Sequence, residues 1–289
     1  MAVRIVTDSS ADLPSTTAEQ LGITVVPLHI YFGEQVFRDG VDLQSEEFYH
    51  RLTHPGRHFP RTAAPSSGDF AAVYREVARD ADGIVSLHLS AKLSGTFHAA
   101  AVGMTQSSIR CPVDLVDTTT ASLGLGLLVI QAAELAQAGA PVEDIVRITA
   151  DSIPRVRFFG ALDTLEYLHR GGRIGRASAL LGSVLQVKPI VGLLDGVAYP
   201  IERVRGRHHA LRRVSALVSE CSPIERVAVG HTTDREGMEA LATHVGSLAP
   251  HLPVLRARCG ATLGTYLGPG AFGAGLILAP SGHSAAPRL

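Results

Sequence analysis

"GIVSLHLSAKLSGTFHAA" occupies residues 83–100 and joins three kinds of chain in one short span. The apolar run Ile84-Val85-Ser86-Leu87-His88-Leu89 predicts a strand. It stops at a cluster of Ser90, Ser94, Gly95 and Thr96, and a small-residue, helix-like stretch begins at Phe97. Small hydroxyl residues between a strand end and a helix start suit a bound anion, because amides at a helix start point outward and glycine lets a ligand come close.

The same alternation continues on either side of this segment. "AVRIVTD" reads as a first strand, Pro14 to Leu21 as a short helix opening at proline, and "ITVVPLHIYF" as a second strand. Residues 38–65 are polar and interrupted by Pro and Gly. "SGDFAAVYREVARDA" then sets Phe70, Val73, Tyr74 and Val77 on one helical face. "GIVSLHL" is the third strand and "VDLVDT" (113–118) the fourth, with a helix between them and an apolar helix after them at about 121–138. Strand and helix repeated this way predict a parallel, doubly wound sheet covered on both faces. The second half differs. "VRFFGALDTLEYL" predicts a strand and helix, "ASALLGSVLQV" an apolar helix, and "KPIVGLLDG" a strand and turn leading to an Arg-rich strand at 199–207. "RVAVGHT" and "PVLRARC" add strands around another helix, and the chain closes on "GPGAFGAGLIL". The expectation is an α/β protein of two domains, 1–154 and 155–289, the second built on a mixed sheet. The joint falls at the helix 142–152 and Pro154, and the tail from 280 is expected to lack fixed structure.

At 289 residues the chain is comfortable for two α/β domains. Its hydrophobic content is 46% and its formal net charge −1, so no basic excess points to nucleic acid. The amino terminus enters a strand pattern at once, without a signal-peptide core or a membrane span, and integral membrane association is not expected. Cys111, Cys221 and Cys259 are odd in number and far apart, which fits reduced thiols of a cytoplasmic protein.

Several chemistries lack their residues. A dinucleotide site wants G-x-G-x-x-G after the first strand, where "TDSSAD" stands instead; a P-loop is missing too, and no cofactor is expected. No G-x-S-x-G elbow is present for a serine hydrolase. His50, His54 and His58 fall at i, i+4 and i+8, but Pro55-Gly56 breaks their helix and no fourth ligand accompanies them, so no metal site is expected. Hydroxyls at strand ends remain, where doubly wound sheets bind ligands. Ser9, Ser10, Ser66 and Thr118 read as caps and turn residues. Ser94 differs, because Ser90 already supplies the turn and Ser94-Gly95-Thr96 lets backbone approach a ligand. Only Lys92 is near in sequence, fewer cations than a phosphate site normally brings, so a single-charge anion with an apolar body fits better: a carboxylate.

"VTDSSADLP", "RTAAPSSGDF", "LSAKLSGTFHAA", "LDTLEYLHRGGRIG", "VKPIV" and "GPGAFG" occur in an order that resembles the DegV family of bacterial fatty-acid-binding proteins, over about residues 3–280. The resemblance implies a two-domain α/β protein that sequesters one long-chain fatty acid in a tunnel between or within its domains. It also implies a separate ATP-dependent fatty-acid kinase that phosphorylates the acyl carboxyl group while the carrier presents it for acyl-phosphate formation and phospholipid synthesis. By position it makes Thr62 and Ser94, with Gly95, the carboxylate-binding residues. Two departures stand out: Ala63-Ala64 replace a usual Ser-Gln, and Tyr266-Leu267 replace a usual His-Thr before Gly268-Pro269-Gly270. A Tyr266 hydroxyl can serve as the third donor. The tunnel is expected to draw on Phe158, Phe159, Leu181, Leu185 and Ile190, within a crowd of apolar residues that otherwise form core. Arginine is favoured at anion-recognising interfaces, and the resemblance points to Arg170, Arg173 and Arg205 as kinase-docking residues. Burying about 15 methylenes at roughly 0.8 kcal/mol each yields about 12 kcal/mol gross, so the tunnel supplies affinity and the hydroxyls supply orientation. The rival expectation is an enzyme, a small-molecule phosphotransferase or hydrolase working from the same strand-end loops; on the carrier reading no residue is catalytic.

Overall fold

In the computed structural model, residues 2–54, 59–180 and 187–280 are described. The first half runs β1 (Val3–Asp8), α1 (Ser15–Leu21), β2 (Ile23–Val26), β3 (His29–Phe32), β4 (Gln35–Arg38), α2 (Ser45–Thr53), β5 (Arg61–Ala63), α3 (Ser67–Val77), β6 (Gly83–His88), α4 (Thr96–Ser107), β7 (Val113–Asp117), α5 (Ser122–Gln137) and α6 (Val142–Ser152). After the turn Ile153–Arg155 come β8 (Val156–Ala161), α7 (Glu166–Arg170), β9 (Val187–Leu194), β10 (Val197–Arg205), α8 (Arg207–Glu220) and β11 (Ile224–His231). The chain continues with α9 (Arg235–Leu248), β12 (Val254–Arg258), α10 (Ala261–Leu267) and β13 (Phe272–Leu278).

Strands β2, β1, β6 and β7 form, in that order, a wholly parallel sheet. Every residue of β6 is buried, as a central parallel strand covered on both faces must be. Side chains alternate between two cores. Ile5, Val85 and Leu87 pack toward α5, whereas Val6 and Ile84 pack with Phe70 and Tyr74 of α3 and Ala100 of α4. The second sheet has the order β10-β9-β8-β13-β11-β12 and is antiparallel except for β11 against β12. One of its faces is covered by α8 and α9. Helix α5, apolar nearly all round, packs against both β1 and β13 and so fills the space between the two sheets.

Three expectations change. "ITVVPLHIYF" is two strands, because Pro27, which has no amide to donate, ends β2, and β3 leaves for another sheet. The polar stretch 38–65 holds α2 and β5, and β5 joins β3 and β4 in a small antiparallel sheet over Phe48, Tyr49 and Leu43. Of the apolar helix expected at "ASALLGSVLQV" (177–187), residues 177–180 belong to a 3-10 turn at Gly175–Leu180 and Val187 belongs to β9. Residues 181–186, like 281–289 of the expected tail, lie outside the described residues.

Candidate functional site

The loop after β6 is fixed by hydrogen bonds before any ligand is considered. Ser90 is buried, its amide donates to Thr120 O (2.8 Å), and its hydroxyl donates to Gly196 O (2.9 Å) at the β9–β10 turn. Ser90 O in turn accepts from the amides of Leu93 and Ser94 (2.9 and 3.2 Å), which curls the chain and turns Ser94 toward the interior. Ser94 Oγ contacts Thr96 Oγ1 at 2.9 Å, and the Thr96 amide donates to it at the start of α4. Ser66 caps α3 in a reciprocal capping box with Asp69, and Thr118 Oγ1 donates to His88 O, so both serve the local roles expected of them. Ser10 is bonded locally to Asp8, whereas Ser9 Oγ accepts from the Leu28 amide and contacts Thr262 Oγ1 of α10 at 3.4 Å.

Three other segments meet Ser94 around one cavity. Thr62 of β5 lies 2.5 Å, hydroxyl to hydroxyl, from Tyr266 of α10. Arg173, beyond α7, donates from Nε to Leu93 O (3.1 Å) and from Nη1 to Gly171 O (3.0 Å), with its guanidinium 5.4 Å from the centre of the Tyr266 ring. Position 171 must be glycine for this arrangement, since a Cβ there would sit 2.5 Å from the Tyr266 ring. Thr62, Ser94, Arg173 and Tyr266 all line one cavity, whose atom-free space is about 730 Å³ when the solvent at its open side is counted. The remaining wall is mostly apolar. Leu28, Leu89, Leu93 and Ala121 come from the first sheet and its loops, and Phe158, Val191, Leu193 and Ala198 come from the second. Leu168, Leu263 and Leu267 also line it, and among the described residues only Ser122 and Thr262 add further hydroxyls.

The expected carboxylate residues thus converge, with one adjustment. Gly95 does not line the cavity; it is exposed beside it, and a Cβ there would meet nothing within 4 Å. Phe158 is a wall residue and also borders a second, smaller apolar cavity of about 270 Å³. Phe159 and Ile190 point to the opposite face of the sheet and pack into the core under α8 and α9, because neighbouring residues of a strand face opposite ways. Leu181 and Leu185 lie outside the described residues. Outside the mouth, Arg61, Arg170 and Arg173 border a more polar vestibule with Tyr31, Phe59 and Tyr266. Arg170 stacks on Phe59 at 4.1 Å and pairs with Glu166. Arg205 is exposed at the end of β10 and does not border this vestibule. Sequence reasoning missed Arg173 as a cavity residue and Arg61 beside Thr62; the second signal was present in "RTAAP" as a cation next to the hydroxyl.

Two carboxylates stand behind α10. Asp12 accepts from the Gly260 amide (2.7 Å) and from Ser122 Oγ (2.6 Å); Asp39 accepts from the amides of Ala261 (3.0 Å) and Thr262 (3.1 Å). Burial pushes the Asp12 carboxyl up to about 7, opposed by its hydrogen bonds and reinforced by Asp39, and burial raises Asp39 as well. Among the described residues no cluster of three or more His, Cys, Asp and Glu has metal-binding geometry. No helix among them is long and apolar enough to cross a membrane.

Comparison with known proteins agrees with this architecture. The family profile described as an uncharacterised protein of the DegV family matches residues 2–279. A DegV domain-containing protein of Streptomyces coelicolor is 38% identical over 276 residues, covering 94% of this chain and 96% of that one. Among solved structures, a DegV family protein from Thermus thermophilus, described as binding fatty acid, matches with a TM-score of 0.86 and 34% identity over 96% of this chain and 99% of that one. DegV from Bacillus subtilis, described as a fatty acid binding protein, matches with a TM-score of 0.85 and 32% identity over 96% and 99%. By sequence along nearly its whole length, and by fold, the chain belongs to the DegV family.

Proposed function

We propose that this protein binds one long-chain fatty acid, with the carboxylate at Thr62, Ser94, Tyr266 and Arg173 and the acyl chain in the apolar cavity. It then presents the carboxyl group to a fatty-acid kinase in the cytoplasm. The observation that carries this reading is that Thr62, Ser94, Tyr266 and Arg173 line one cavity whose other walls are mostly apolar. That is the division of labour an amphiphile with one charged end requires. Arg173 supplies the charge complement that the local sequence around Ser94 lacks, and a hydrogen bond to a charged partner contributes about 1.5–3 kcal/mol before desolvation. The fatty-acid binding described for the relatives supports the ligand class. The kinase rests on the open mouth and its arginines: Arg61, Arg170 and Arg173 leave a positively charged approach to the carboxyl end. Arg205 is assigned to the same docking role on its exposure.

The hydrolase alternative has one constellation to offer. His88 Nδ1 lies 2.9 Å from Asp8 Oδ2 and His88 Nε2 lies 2.8 Å from Ser86 Oγ, which is the order of a nucleophile, base and acid. All three are fully buried, Ser86 Oγ also contacts Tyr74 OH, and none lines the cavity. A nucleophile that no substrate reaches performs no acyl transfer. The deciding experiment is mass spectrometry of lipid extracted from the purified protein. About one long-chain fatty acid per chain is expected, and protein that carries none and ignores added fatty acid refutes the reading.

A further inference from the structure

Helix α10 brings Thr262, Leu263, Tyr266 and Leu267 to the cavity, yet its own N-cap is Gly260, which has no side chain to cap with. The exposed amides of a helix start need acceptors when they are buried. Here they are supplied from far away in sequence. Asp12, from the turn after β1, takes the Gly260 amide, and Asp39, from the turn after β4, takes the Ala261 and Thr262 amides with one oxygen each. Both side chains are almost wholly buried, at 6% and 5% exposure. Asp12 also holds Ser122, the first residue of α5 and another cavity residue, in a left-handed backbone conformation (φ 54°). The two carboxylates therefore fix where α10 sits relative to the first sheet. Tyr266 lies four residues, about one turn, beyond Thr262 and reaches Thr62 on the small sheet.

We propose that Asp39 and Asp12 are positioning residues for the carboxyl end of the ligand: by gripping the N-cap amide and the first two amides of α10 they set the Tyr266 hydroxyl at its place beside Thr62. Neither lines the cavity, so the effect of Asp39 passes through the helix, and that of Asp12 through the helix and through Ser122. The inference rests on the carboxylate site proposed above. Asp39→Asn keeps the shape of the side chain but leaves one acceptor oxygen for two amides and turns an NH2 group toward the other. The helix start must then shift, and the shift is carried to Tyr266.

The test compares affinity for a saturated fatty acid of 16 or 18 carbons with affinity for the primary alcohol of the same length, by titration calorimetry, in the full-length protein. The alcohol keeps the same chain and carries a neutral hydroxyl in place of the carboxylate, so the ratio of the two constants reports on what the headgroup site gives to the carboxylate beyond a single hydroxyl. Asp39→Asn and Asp12→Asn are each expected to reduce the acid-to-alcohol ratio by about tenfold, with the alcohol constant close to that of the parent. Gly260→Ala is a gentler probe, since its Cβ would meet the Asp39 oxygens at 3.2 and 3.3 Å and Asp12 Oδ1 at 3.5 Å, at a φ that any residue adopts. It is expected to move the ratio in the same direction by a smaller factor, and it decides the matter if the carboxylate variants do not fold. An unchanged ratio in the folded variants, or equal losses for acid and alcohol, overturns the positioning role and leaves the aspartates as fold stabilisers. A parent protein that binds acid and alcohol alike removes the carboxylate site itself and the proposal with it. The two failures are therefore distinguished by which protein shows them.

Discussion

Thr62 and Tyr266 touch through their hydroxyls at 2.5 Å, so on the carrier reading a carboxylate bound there exchanges that contact for bonds to itself. Thr62→Val removes the hydroxyl at nearly constant volume and is expected to weaken fatty-acid binding by roughly 1–2 kcal/mol while leaving the thermal midpoint within a few degrees of the parent. Calorimetric titration beside a thermal melt checks both halves of that statement, and undiminished affinity removes Thr62 from the carboxylate site. The resemblance implies histidine at position 266, where this chain has tyrosine. Tyr266→His introduces a group whose ordinary value is near pH 6.5, so the variant is expected to gain a step in binding between about pH 6 and 8 in addition to any that Asp12 gives the parent. A profile in the variant like the parent's places the side chain away from the carboxylate. Ser94 stood out in the sequence because its loop pairs a hydroxyl with glycine at a helix start, whereas Thr62, a residue of β5, was named only by the resemblance. Arg173 was read as a docking residue, since no local pattern reveals that its guanidinium reaches back to Leu93 O, eighty positions earlier.

At the scale of elements, periodicity located β8 and β9 but not their orientation. Period two says that Phe158 and Phe159 face apart; only the pairing of β8 with β9 and β13 says which of them meets the cavity. The small sheet was illegible for a related reason. β4 has no buried residue and β5 is three residues long, so neither carries an apolar stripe to read. The β9–β10 turn was foreseen as a turn but not as a clasp. Gly196 O accepts from Ser90 Oγ and Asp195 O from Lys92 Nζ (2.7 Å), which seats the hairpin that walls the cavity on the loop that carries Ser94. A Cβ at Gly196 would lie 2.4 Å from Ser90 Oγ, at φ 79°. Gly196→Ala is therefore expected to cost about 1–3 kcal/mol of stability in a denaturant titration and to speed release of bound fatty acid. Parent-like stability together with parent-like release shows that the clasp contributes nothing.

For the molecule as a whole, the buried carboxyls behind α10 link stability to pH. The Asp12 carboxyl has an ordinary value of 3.8 in the open chain and about 7 in the fold, so between those values the folded protein holds the proton more tightly. Its contribution is then fully present below about pH 4 and declines as the pH rises through about 7, by an amount on the order of a few kcal/mol. Asp39 is raised by burial too and acts in the same direction. The thermal midpoint is expected to fall from about pH 5 to about pH 8, and to fall less in Asp12→Asn, which cannot ionise. Identical pH profiles for parent and variant show that Asp12 is not the group responsible.

The cavity has walls from both sheets, with α5 filling the rest of the space between them. On the carrier reading, the cargo is then a missing piece of the protein's own interior, and a chain without it is built around a hole. Ligand at about a hundred times its dissociation constant adds roughly 2.7 kcal/mol to the folded state. Delipidated protein is expected to be cut faster by a broad-specificity protease, with added fatty acid restoring resistance; equal rates of cleavage show that nothing fills the gap. Where proteolysis follows the open population, the survival time of this chain in a cell becomes a gauge of how much fatty acid the cell has to spare.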